Sequence, residues 1–182
     1  MTGQAQASGA SGGRGWRIAV WGGAAALMLA AALATRLSNE MAWDSGDFIL
    51  VGLLLLAACG AWELAMRTTR NWTYSAAALV AAGTAFLLFL VNAAVGFLGS
   101  EDDPVNLIFF GVATVLAGGA VIVRAQPEGM ARTLAVTAAT QVAAGLAGLA
   151  LIPDVRGFVA GTALFVPLWL LSAWLFARSA RV

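Results

Sequence analysis

The chain has 182 residues, 61% of them hydrophobic and only 10% charged, with a formal net charge of +1. That apolar share exceeds the roughly half found in soluble domains, and no basic stripe exists to neutralise nucleic-acid phosphates. Histidine is absent and Cys59 is the single cysteine, which excludes imidazole catalysis, His-ligated haem, Cys/His zinc sites and an intrachain disulfide, so no cofactor is expected.

Residues 1–15 are rich in Gly, Ser, Ala and Gln and read as a disordered cytoplasmic tail. Residues 16–182 read as a transmembrane helical bundle with apolar segments at 16–35, 47–66, 73–98, 105–123, 131–152 and 158–177. Each approaches the ~20 residues an α-helix needs to cross the bilayer core. Backbone groups in lipid must be satisfied within the segment, so six helices are predicted, and short linkers make neighbours antiparallel. The expected fold class is therefore all-α and polytopic.

The first segment has two readings. Arg14 and Arg17 precede an apolar core, and Ala32-Leu33-Ala34 resembles a signal-peptidase site, which would leave five helices after cleavage. Against that, the segment is long enough to span. Its Gly22, Ala26, Ala30 and Ala34 also form a small-residue stripe suited to close helix contact. A retained helix is the favoured expectation.

All ten basic residues are arginine, and Ala and Gly are abundant, a composition that suggests a GC-rich bacterial genome. Eight of the arginines (14, 17, 67, 70, 124, 132, 178 and 181) fall on one side of the predicted topology, and Arg36 and Arg156 on the other. The positive-inside rule then predicts both termini in the cytoplasm of a bacterial inner membrane. Glu40, Asp44, Asp47, Glu101, Asp102, Asp103 and Asp154 give the opposite side an acidic surface. Most of the seven tryptophans lie near predicted helix ends, where headgroups favour them. The sequon Asn71-Trp72-Thr73 falls on the cytoplasmic side and is set aside.

Polar character concentrates in Asn92–Asn106. Glu101, Asp102 and Asp103 offer carboxylates, and Ser100 and Asn106 neutral oxygens, the ligand types that hard divalent cations prefer. The spacing is not that of an EF-hand. The structural alternative is that Asp102 or Asp103 caps the fourth helix, with Pro104 in its first turn. Asn92 shares a helical stripe with Thr84, Leu88 and Gly96, and its amide needs a partner in hydrocarbon, with Asn106 the nearest candidate. Asp44 and Asp47 open the second helix on the same side and would complete an oxygen-lined pocket if the hairpins converge. Asp47-Phe-Ile-Leu-Val-Gly52 and Asn106-Leu-Ile-Phe-Phe-Gly111 are alike, more simply as two acid-capped helix starts than as a duplication.

Glu63 is the acid placed well inside a span, and Arg67 one turn later is its expected ion-pair partner. An intramembrane carboxylate is also a candidate proton carrier. Thr137, Gln141 and Gly145 on the fifth helix, and the Gly157-x-x-x-Gly161 motif on the sixth, read as helix-packing faces.

The run Asn92-Ala-Ala-Val-Gly-Phe-Leu-Gly-Ser-Glu-Asp-Asp-Pro-Val-Asn106 resembles an NxAVGxxGSEDxPxN signature of uncharacterised small multi-pass bacterial inner-membrane proteins. The resemblance covers about 20 residues and implies membrane class and an important turn, but no activity. The expected function is a small transport or sensing module, or a partner subunit, with recognition at the acidic periplasmic turn. The expected partners are the lipid bilayer, a membrane protein or second copy of the chain, and a divalent cation or cationic ligand. The alternative is a metal-dependent intramembrane enzyme acting on a lipid or envelope precursor.

Overall fold

The computed structural model describes residues 5–37, 43–69, 71–94, 96–100 and 103–181, with side chains from Gly15 onward. Among these residues the expected segments are all helical: α1 (Ala5–Leu37), α2 (Ser45–Thr68), α3 (Trp72–Ala94), α4 (Ile108–Ile122), α5 (Pro127–Leu151) and α6 (Val155–Ser179). A 3₁₀ turn, Pro104–Leu107, leads into α4, and each of the six spans is long and apolar enough to cross a membrane. The fold is a polytopic transmembrane helical bundle. Helix α1 reaches back to Ala5, into the stretch expected to be a tail, while its apolar span begins at Gly15.

The chain divides into two units, Met1–Glu63 and Leu64–Val182. In the first, α1 meets α2 across small residues, with Met28 against Gly52. Trp21, Ala24, Ala25, Met28, Gly52, Leu55 and Leu56 line a groove of about 250 Å³ there. The small-residue stripe is turned away from this contact: Gly22, Ala26 and Ala30 are exposed, and no neighbour lies within 4 Å of where a Cβ on Gly22 would stand.

In the second unit α3 packs on α6, α6 on α5 and α5 on α4, around a core that includes Leu88, Phe97, Leu98, Phe109, Leu134, Phe165 and Trp169. Lipid tails are as apolar as leucine, so close packing and interhelical hydrogen bonds must hold such helices together. Both are present. Gly119 lies on Thr133, Gly129 on Val123 and Gly145 on Phe158. The Ser172 hydroxyl on α6 donates to the Ala77 carbonyl on α3 at 2.8 Å.

Helix ends follow local chemistry. Asn71, set aside above as a chance sequon, is the cap of α3: its Oδ1 accepts from the backbone of Thr73 at 3.0 Å, and its Nδ2 donates to the Ser179 carbonyl at 3.1 Å. An Asn just before a helical run is a capping signal. Helix α4 ends in two left-handed residues, Arg124 (φ 50°) and Ala125 (φ 53°), and Pro127 then opens α5. The third segment does not run to residue 98 as expected. It stops at Ala94, because Gly96 adopts a φ of 73° that no helix contains.

Candidate functional site

Residues 96–100 and 103–107 lie at one end of the second unit, and Asn106 organises them. Its side chain is 97% buried, so an unmet polar atom there would be costly. None is unmet. Oδ1 accepts from the backbone of Phe97 at 2.9 Å and Leu98 at 3.0 Å, while Nδ2 donates to the carbonyls of Leu98 at 3.1 Å and Ser100 at 2.7 Å. A single amide thus uses both acceptor sites and both donors to hold one turn. Asn92 completes the frame from α3, its Nδ2 donating to the Asn106 carbonyl at 3.2 Å.

The turn is also plugged into its neighbours. Phe97 lies over Gly157 and Gly161 on α6, so closely that a Cβ at Gly157 would overlap the Phe97 carbonyl. Leu98 fills the notch at Gly148 on α5. Phe97 also packs edge-on against Phe165, with ring centroids 5.3 Å apart. This corrects one expectation: the Gly157/Gly161 motif receives Phe97 of the loop, its carbonyl at Gly157 and its ring at Gly161, and not another helix. It also explains why Phe97 and Leu98 are apolar although they lie in a turn.

Of the candidate acids, Glu101 and Asp102 lie outside the described residues. Asp103 stands at the cap position before Pro104, as expected of a helix start, but its side chain makes no capping hydrogen bond. It lies instead against Gly99, which has a φ of 71° and where an added Cβ would come within 2.5 Å of Asp103 Oδ2. Asp154 reaches the same place. Its Oδ1 caps α6 by accepting from the Gly157 amide at 3.0 Å, and the Gly99 amide also faces it. In sequence Asp154 belongs to a remote loop. The structure brings it to the turn.

Asp44 and Asp47, in the first unit, hold each other. Asp44 Oδ1 accepts from the amides of Gly46 at 2.6 Å and Asp47 at 3.0 Å, and Asp47 Oδ2 accepts from the Asp44 amide at 2.9 Å. This reciprocal cap fits the reading of that segment as an acid-capped helix start. Glu63 is gripped by Arg17 of α1, whose two guanidinium nitrogens meet both carboxylate oxygens, Nε at 2.9 Å from Oε2. Sequence spacing points to Arg67, one turn later on α2, and the structure adds Arg17 of α1 as a partner of the same carboxylate. Arg17 was legible as a candidate, since the topology puts it at the same helix end as Glu63, but an i,i+4 neighbour is the easier pair to see. Cys59 is buried, in keeping with a packing role.

Among the described residues no group of three or more His, Cys, Asp or Glu side chains could hold a metal ion. Two buried threonine hydroxyls serve the helices that carry them: Thr84 donates to the Val80 carbonyl at 2.7 Å and Thr137 to that of Thr133 at 2.9 Å. Fold and site together define a multi-pass α-helical membrane protein with a turn held by hydrogen bonds at one end. No known family, curated protein or solved structure matches the chain.

Proposed function

We propose that this protein is a non-enzymatic component of a bacterial inner membrane, a partner or sensing subunit. Its clamped turn presents carboxylates to a divalent cation or a basic partner surface. One observation carries the reading: Asn106 uses its entire hydrogen-bonding capacity to order residues 97–100. A turn that only joined two helices would need no such frame, whereas preorganisation lowers the ordering cost of recognition. The arginine distribution supports a periplasmic position for the turn and cytoplasmic termini.

The transport reading has less support, because Thr84, Thr137 and Ser172 bond to helix carbonyls and serve as packing contacts. A metal-dependent enzyme would have to recruit Glu101 and Asp102 in addition to Asp103. Titration calorimetry with Ca²⁺, Mg²⁺ and simple amines on detergent-purified protein tests the proposal. Glu101→Gln, Asp102→Asn and Asp103→Asn together are expected to abolish the binding signal. Glu128→Gln, in the first turn of α5 at the opposite end, leaves it unchanged. Identical titrations of wild type and triple variant would reduce the turn to a connector.

A further inference from the structure

The C-terminal part of α6 turns a face outward on which apolar, aromatic and basic side chains follow one another. Leu170, Leu171, Trp174, Arg178 and Arg181 recur at helical spacing, and all five are exposed. Ala180 keeps helical angles (φ −73°, ψ −16°), so Arg181 stays in register beyond Ser179. Helix α6 is long and apolar enough to cross a membrane, so its exposed leucines meet lipid tails. Trp174 follows them with the kind of ring that headgroup regions favour. Arg178 and Arg181 come next, where lipid phosphates stand.

Neither arginine is needed to close the helix. A basic residue in a last turn usually serves the orphan carbonyls there. In α6 three of these carbonyls already have donors. Phe176 receives the Ser179 hydroxyl at 2.8 Å and the Ala180 amide at 3.1 Å, Arg178 the Arg181 amide at 3.1 Å, and Ser179 the Asn71 side chain at 3.1 Å. No acid among the described residues pairs with Arg178 or Arg181. The α4–α5 connection meets the same end of the unit through Tyr74. Its hydroxyl donates to the Ala125 carbonyl at 2.7 Å, and its ring packs edge-on against Phe176 with centroids 5.0 Å apart. That connection brings Arg124 and Arg132 against one acid, Glu128, so the local charge stays positive.

Arg178 is also oriented. Its guanidinium carbon lies 4.3 Å from the centre of the Trp174 ring. Stacking takes up one face of the guanidinium and leaves the N–H groups around its edge, the fork that grips two phosphate oxygens.

We propose that this face of α6 binds an anionic phospholipid. Arg178 holds the phosphate through its N–H edge, Arg181 adds a second positive charge, and an acyl chain lies along Trp174, Leu171 and Leu170. A zwitterionic head brings an ammonium that two unopposed arginines disfavour, whereas phosphatidylglycerol brings none. The occupant is a lipid and not a soluble phosphate, because the arginines stand beyond an indole and two leucines that a chain-bearing molecule would cover. The site lies at the end of α6 opposite the Asn106 turn and does not depend on cation binding there.

Photolabelling of the full chain in phosphatidylcholine nanodiscs tests the proposal. Phosphatidylglycerol with a diazirine in its acyl chain is added at rising mole fraction, with the matching phosphatidylcholine as reference. The glycerol lipid is expected to label residues 164–174 of wild type in preference to the choline lipid, a comparison that needs no variant. Arg178→Gln and Arg181→Gln should each raise the half-saturating mole fraction about fivefold, the share of one basic residue at a membrane surface. Arg178→Lys keeps the charge but loses the stacked fork, and should fall between wild type and Arg178→Gln. Arg124→Gln combined with Arg132→Gln should leave the preference intact. Equal labelling by the two lipids, labelling that maps away from α6, or no response to Arg178→Gln would each overturn the site. A loss in the Arg124/Arg132 variant equal to that of Arg178→Gln would reduce it to the general charge of this end. Competition by millimolar glycerol phosphate would overturn the lipid as occupant.

Discussion

The carbonyl oxygen of Phe97 occupies the space that a side chain on Gly157 would require. One of these atoms belongs to a turn and the other to the first turn of α6, so the contact is backbone against backbone and neither side can yield by rotating a side chain. The acidic turn is therefore seated on a glycine surface prepared for it by two later helices.

This contact predicts the sign of a common stabilising change. Gly→Ala within a helix gains about 1 kcal/mol of propensity where space allows. At Gly157 the gain is outweighed, because the Phe97 backbone must move and such overpacking costs about 1–3 kcal/mol. Gly157→Ala is expected to lower the melting temperature in detergent. Gly111→Ala on α4, with nothing within 4 Å of where its new methyl group would stand, should leave it unchanged or raise it. Equal shifts at both positions would mean that the turn is not seated as described.

Asn106 makes the second prediction. Asn106→Leu keeps a similar size but strands the amides of Phe97 and Leu98 and the carbonyl of Ser100. Buried groups left unpaired cost about 1–3 kcal/mol each, so a loss on the order of 3 kcal/mol or more is expected. Asn106→Asp restores the acceptor but not the donor, and should fall between the two. Thermal melts with hydrogen exchange at residues 97–100 read both effects. An Asn106→Leu variant with wild-type exchange in that turn would refute the frame.

The helices were legible because six long apolar runs in lipid admit only one backbone solution. The Asn92–Asn106 link was also within reach, since buried amides must find partners. The turn's seating was not. Phe97 and Leu98 continue the apolar pattern of α3, and the left-handed Gly96 stands between them and it, a conformation that a glycine permits but does not announce. Asp154 looked remote for a related reason: about fifty residues separate it from Gly99, and nothing local in either segment signals that they meet.

The Arg17–Glu63 pair gives a third prediction, confined to the first unit. Arg17→Glu or Glu63→Arg alone places like charges together and should loosen α1 from α2. The double swap should restore the contact, read as a recovered melting temperature in detergent. A double swap no better than either single change would show that the pair does not hold the helices.

Asp154 gives the last prediction, in pH. Its carboxyl is held below the ordinary Asp value of about 3.9, chiefly by the Gly157 amide that donates to it. The Gly99 and Arg156 amides and the Arg156 charge act in the same direction, and partial burial opposes them. The folded value is lower than the unfolded one, so this contribution is fully present above the unfolded value. It is lost as pH falls through the folded one. Other carboxylates titrate in the same window, so the informative quantity is a difference. Asp154→Asn keeps an acceptor for the Gly157 amide but carries no charge, and its melting temperature should fall less than that of wild type as pH drops below the ordinary carboxyl range. Because the same carboxylate faces Gly99, the substitution should also speed exchange of the Gly99 amide at neutral pH. An exchange rate unchanged at Gly99, with a normal response at Gly157, would confine Asp154 to capping α6 and detach it from the turn.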